Sequence, residues 1–130
     1  MAENERGPQV AFFERARRLA GEGDRELAIE MYLQGLRLDP EFLSVHRELR
    51  AVALQRKAGG GNSLGLFATM KLKAVQRVAV ERMLASEKLL CYDPGNGDHM
   101  LSFRDAARDA DAPATAQWVE DLIKKAEGLR

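Results

Sequence analysis

Apolar side chains recur along this chain three and four positions apart, the spacing of one face of a helix. Phe12, Ala16 and Leu19 make one such stripe, and Ala28 and Tyr32 make a second. Leu43, His46, Leu49 and Ala53 share a face further on, and Val75, Val78, Met83, Leu89, Leu90 and Tyr92 supply the apolar content of the next helical segment. Met100, Phe103 and Ala107 precede a final run of Ala116, Trp118, Val119, Leu122, Ile123 and Ala126. Start and stop signals divide these stripes into helices. Pro8 suits a first helical turn, Asp24 can accept from the free amides of the next helix, and Asp39-Pro40 ends that helix while opening another. Asp93-Pro94 repeats that ending, Ala112-Pro113 starts the last helix and Gly128 stops it. The pattern predicts six helices: about 8–21, 25–39, 40–57, from Leu72 or Val75 to Tyr92, 97–109 and 113–127, with an all-α fold.

The segment from Gln9 to Phe42 resembles a tetratricopeptide repeat (TPR). Phe12, Ala16 and Leu19 match the aromatic, small and large positions of its first helix, and Ala28, Tyr32 and Pro40 match its second helix and end. The resemblance implies about three helical hairpins in a right-handed α-solenoid. These are a repeat at 9–42 after a disordered leader at 1–8, an enlarged repeat at 43–96, and a degenerate one at 97–130. Asp39-Pro40 and Asp93-Pro94 stand 54 residues apart where a regular array would place them 34 apart, so the second repeat holds about twenty extra residues. These fall in the glycine-rich stretch 58–71. Arg50 and Arg104, again 54 apart, occupy positions where the repeat prefers a small side chain.

Composition narrows the chemistry. At 130 residues the chain is long enough for one domain with its own core, and twenty basic residues balance twenty acidic ones, leaving no field to attract nucleic acid or an anionic membrane. The single Cys91 excludes an intramolecular disulfide and fits a reducing compartment. The polar first residues lack a signal-peptide core, and no segment approaches 18 uninterrupted apolar residues, so a cytoplasmic protein is expected. Gly60 and Gly65 have the separation of a phosphate-binding loop, but Leu66 follows where lysine is needed and no strand precedes. Asp93 to Asp98 lacks the ligand pattern of a calcium loop. No zinc ligand set, nucleophile elbow or dinucleotide fingerprint is present, so neither catalysis nor a cofactor is expected.

The resemblance implies a partner-binding groove lined by first-helix side chains. Its positions here are Phe13 and Arg17, Arg47 and Ala51, and Leu101 and Asp105, with Arg108 one turn further on. An exposed Phe13 beside arginines would anchor an extended, acidic peptide through forked hydrogen bonds. The chaperone-tail carboxylate clamp is not expected, since Phe13 and Arg17 replace its lysine and asparagine, and Asp98 and Ser102 stand at its third-repeat basic positions. In the last helix Val119 and Ile123 widen the apolar band beyond what a terminal helix shows to water. They are expected to form a second interface, covered by a partner, further repeats or another copy of the chain as a homodimer. The function implied is a non-catalytic protein-interaction scaffold; the alternative is an assembly or dimerisation module within a longer array.

Overall fold

The computed structural model describes residues 7–75 and 78–128, with seven α-helices and no strand among them. Most of the expected leader lies outside the described residues. The chain divides into two compact units, Met1–Gly61 and Asn62–Arg130.

The first unit holds α1 (Pro8–Gly21), α2 (Arg25–Leu38) and α3 (Leu43–Ala58), with α1 packed on α2 and α2 on α3. Pro8 occupies the first turn of α1. Gly23 takes φ 88° in the three-residue connection, a conformation that glycine adopts without a Cβ penalty. Asp24 caps α2 by accepting from the Leu27 amide at 3.3 Å. The Asp39-Pro40 turn is held from the following helix: His46 is fully buried and its Nε2 lies 2.7 Å from the Pro40 carbonyl oxygen, to which it donates. A buried imidazole therefore has its polar partner, and the core accepts it without a large desolvation penalty.

The packing stripe of α1 differs from the expected one. Phe13 and Ala16 are buried, together with Gln9, whereas Phe12 and Leu19 are only half-buried. The cause lies in α2, where Gly35 has no side chain and the Phe13 ring fills the space; a Cβ at Gly35 would collide with that ring. Phe42 then meets Phe13 edge-on, with centroids 5.7 Å apart at 90°. Ile29, Tyr32, Leu36, Val45 and Leu49 complete the core of this unit.

The second unit holds α4 (Leu66–Lys73), α5 (Ala79–Tyr92), α6 (Gly97–Asp109) and α7 (Pro113–Gly128). The helix expected from Leu72 or Val75 begins only at Ala79, and a separate helix forms within and just beyond the glycine-rich stretch 58–71 expected as a loop. The eight-residue α4 already includes Leu72, and Val78 is in extended conformation at φ −120° and ψ 134° before α5 begins. β-Branched Val75 and Val78 flank the connection, where helix is least favoured. The two helices expected to form the enlarged second hairpin, α3 and α5, fall in different units.

α5 packs on α6, α6 on α7, and α4 on α5. Asn96 caps α6, accepting from the His99 amide at 2.9 Å. Asp111 takes φ 57° beyond α6 while the Ala112 amide reaches back to the Ala107 carbonyl at 2.9 Å, so a left-handed residue closes the helix as a glycine usually does. Phe103 is buried and meets Trp118 edge-on, with centroids 6.4 Å apart, and Met83, Leu90, Ala107 and Val119 are buried in the same unit. Cys91 is buried and forms no disulfide. α4 differs from every other helix: none of its residues is buried, and Leu66, Phe67 and Met70 are 72%, 86% and 57% exposed.

Candidate partner-binding site

The residues expected to line a groove do not share one environment. Phe13, expected on the open face, is 2% exposed and belongs to the core, because its ring fills the space left by Gly35. Arg17 remains on the surface, but its guanidinium is occupied. Its Nε and Nη2 donate to the two carboxylate oxygens of Glu48 at 2.7 and 2.9 Å, and the Tyr32 hydroxyl donates to the same carboxylate at 3.2 Å. The forked bond to Arg17 holds the Glu48 carboxyl below the usual carboxylate range, and in turn raises the pKa of Arg17. Burial, with Glu48 beside it, pushes the Tyr32 hydroxyl up to about 12. The fork that was to receive an acidic peptide thus already holds an acid from α3. Arg47 and Ala51 are exposed on α3.

Leu101, Asp105 and Arg108 are exposed on α6, as a groove would require. Asp105 accepts from Arg104 Nε at 3.1 Å, and Arg108 lies 3.9 Å from it. Arg104 also donates to Glu120 of α7 at 2.9 Å, so the oversized residue in the small-residue position ties the edge of α6 to α7 instead of separating them. This bond and the one to Asp105 raise the Arg104 pKa.

The second interface needs correction. Val119 is 0% exposed and is covered by the chain itself; it is a core residue of α7. Ile123 is half-buried. The apolar band looked too broad because α6 covers more of α7 than one stripe, with Phe103 and Trp118 in edge contact between them.

A hollow in the second unit lies among α4, α5 and α6, with a volume of about 420 Å³. Leu72, Val75, Leu89 and Ala106 give it apolar wall, while Lys73, Arg82, Ser86, His99, Ser102, Asp105 and Asp109 supply the polar positions. Arg82 Nη2 donates to Asp109 at 2.9 Å, joining α5 to α6. Burial holds His99 below its ordinary pKa of 6.5, with Lys73 adding to that effect against the pull of Asp93 and Asp98. The opening is therefore of mixed polarity, its acids and bases largely paired with one another, and it suits a side chain with an apolar body. Of the expected site residues, Asp105 lines it, and Arg108 lines a smaller hollow of about 160 Å³ with Pro113, Ala116, Gln117 and Glu120.

The sequence marks Leu66 to Met70 as an apolar segment without a partner helix, but it does not mark Ser86 and Leu89 as site residues. A signal was present: Leu66-Phe67 follow Phe12-Phe13 by 54 residues, the interval already visible between the two Asp-Pro turns. Among the described residues no group of acidic, histidine and cysteine side chains could hold a metal ion, and no helix is long and apolar enough to cross a membrane. Comparisons with protein-family models, with curated proteins and with solved structures each found no match.

Proposed function

We propose that the chain is a non-catalytic protein-interaction scaffold, a TPR-like array of helical hairpins in the cytoplasm, and that it binds a peptide or partner segment at the α4–α5–α6 opening. The observation that carries this reading is the opening itself, where Leu72, Val75, Leu89 and Ala106 form an apolar wall among polar side chains. A concave site that joins an apolar wall to a few polar groups is the usual mark of a recognition surface. The partner chemistry that fits is an apolar or aromatic side chain flanked by polar groups of either sign. This replaces the acidic peptide, whose support rested on Phe13 and on the fork of Arg17.

Selection of a random peptide display library on the full chain tests the reading, with Ser86→Tyr as the comparison. Ser86 stands 54 residues after Tyr32, and a tyrosine ring there would fill the opening. Enriched peptides should lose at least about tenfold in affinity on the variant. Peptides that bind both proteins equally would move the site elsewhere, and a library yielding no binders would remove the scaffold reading. The assembly alternative is favoured by the exposed face of α4 alone; light scattering that finds a stable dimer would support it.

A further inference from the structure

The helices of the two units follow one another at a common interval. α2 and α5 begin at 25 and 79 and end at 38 and 92, and α3 and α6 begin at 43 and 97; each pair is 54 residues apart. The same interval carries α1 onto the segment containing α4, with Phe12-Phe13 falling on Leu66-Phe67. It carries Tyr32 onto Ser86, Gly35 onto Leu89 and Ala28 onto Arg82, three residues that line the opening. In the first unit the corresponding place is full: Phe13 packs on Gly35, Tyr32 is buried beside it, and α1 is seated along α2. In the second unit the place is a hollow of about 420 Å³, and the counterpart of Phe13 is 86% exposed.

We infer that α4 is a lid, and that the opening among α4, α5 and α6 is the seat of its own Phe67. Thr69 and Leu72 are the half-buried residues of α4, and Leu66, Phe67 and Met70 stand on the other side of the helix. At 100° per residue, a turn of roughly half a revolution about the helix axis exchanges the two sides and carries Phe67 and Met70 to the opening. The exchange buries an aromatic ring and a thioether at the expense of Leu72, a net removal of apolar surface from water. Little holds α4 where it stands, since no side chain caps its N-terminus and none of its residues is buried. What keeps the seat open is Arg82. It occupies the position of the small Ala28, its Nη2 is bound to Asp109 across α5 and α6, and its Nε is buried without a hydrogen-bond partner. An unpaired buried donor makes this arrangement of Arg82 costly and its displacement easier. Where the opening also takes a partner's side chain, as proposed above, Phe67 competes for it; the lid stands without that reading, and its test uses no partner.

Hydrogen exchange of the full-length chain provides the test. An eight-residue helix is marginal by itself, so protection of the α4 amides reports how well the helix is seated. Phe67→Ala should accelerate exchange of α4 by about tenfold, Phe67→Leu should preserve most of the protection, and Arg82→Ala should slow exchange below the wild-type rate. Unchanged protection of the α6 and α7 amides verifies that each variant is folded. Equal exchange of α4 in wild type and Phe67→Ala would overturn the inference, because a side chain that stays in water contributes nothing. Protection of α4 that rises with protein concentration would also overturn it, by assigning the seat to a second copy of the chain.

Discussion

Phe13 and Phe67 sit 54 residues apart, each early in the first helix of its unit, yet one is sealed in a core and the other is among the most exposed residues of the molecule. The difference does not come from the phenylalanines. It comes from what α2 and α5 offer them: Gly35 leaves room that the ring fills, whereas Leu89 stands at that position on the wall of a hollow and Arg82 replaces a small alanine. Burial is a property of a pair of surfaces, and an apolar stripe read along one helix describes only half of the pair.

Substitution at the two phenylalanines gives the largest contrast. Phe13→Ala should cost about 3–5 kcal/mol in urea unfolding, whereas Phe67→Ala should stay within about 0.5 kcal/mol globally and act on α4 alone. Equal losses would mean that the two rings are equally buried in solution. Next in size, Gly35→Ala should cost about 1–3 kcal/mol, since the added methyl must displace a ring already held by Phe42; a neutral result in thermal melts would show that α1 slides freely on α2.

The polar cluster of the first unit has no equivalent in the second, where Ser102 stands 54 residues after Glu48. Glu48→Gln should cost less than about 1 kcal/mol at neutral pH, because Arg17 and Glu48 are both substantially exposed. The Glu48 pKa is depressed on folding, so its contribution is present above about pH 4.5 and lost as pH falls through the folded value. Acid unfolding of wild type and Glu48→Gln should therefore converge at low pH, and a gap that widens there would reverse the assignment. The smallest effect belongs to His99, whose folded pKa is also depressed. The unfolded chain binds its proton more readily, so stability declines as pH drops below about 6.5. His99→Gln should flatten that slope, as urea midpoints between pH 7 and 5 would reveal.

Much of the helical plan was legible in the chain. Pro8, Asp24, Asp39-Pro40 and Pro113 act locally through fixed φ, a side-chain acceptor or a missing amide, and the observed helix ends follow them, except that α3 starts at Leu43 and not at Pro40. The positions that were misread depend on partners distant in sequence. The α1 stripe favours Phe12 over Phe13 as the buried aromatic, and only the absence of a side chain at Gly35 reverses that preference. Val119 was assigned outward because its band is broad, a width that the contact between Phe103 and Trp118 makes necessary. Of the candidate site, Leu101, Asp105 and Arg108 were legible as exposed α6 positions. Ser86 and Leu89 were not, because a hollow arises from volume missing between helices and no single residue type marks it.

The lone buried thiol gives the second unit a clock. Cys91 lies on α5, which touches both α4 and α6, and at 4% exposure a bulky thiol reagent cannot reach it in the native packing. Modification must wait for α5 to come away from its neighbours. At high reagent concentration its rate becomes the rate of that opening, and at low concentration it reports the fraction of molecules open at any moment. The two regimes separate how often the helix layer parts from how long it stays parted, using a chromophore-free reaction at one native atom.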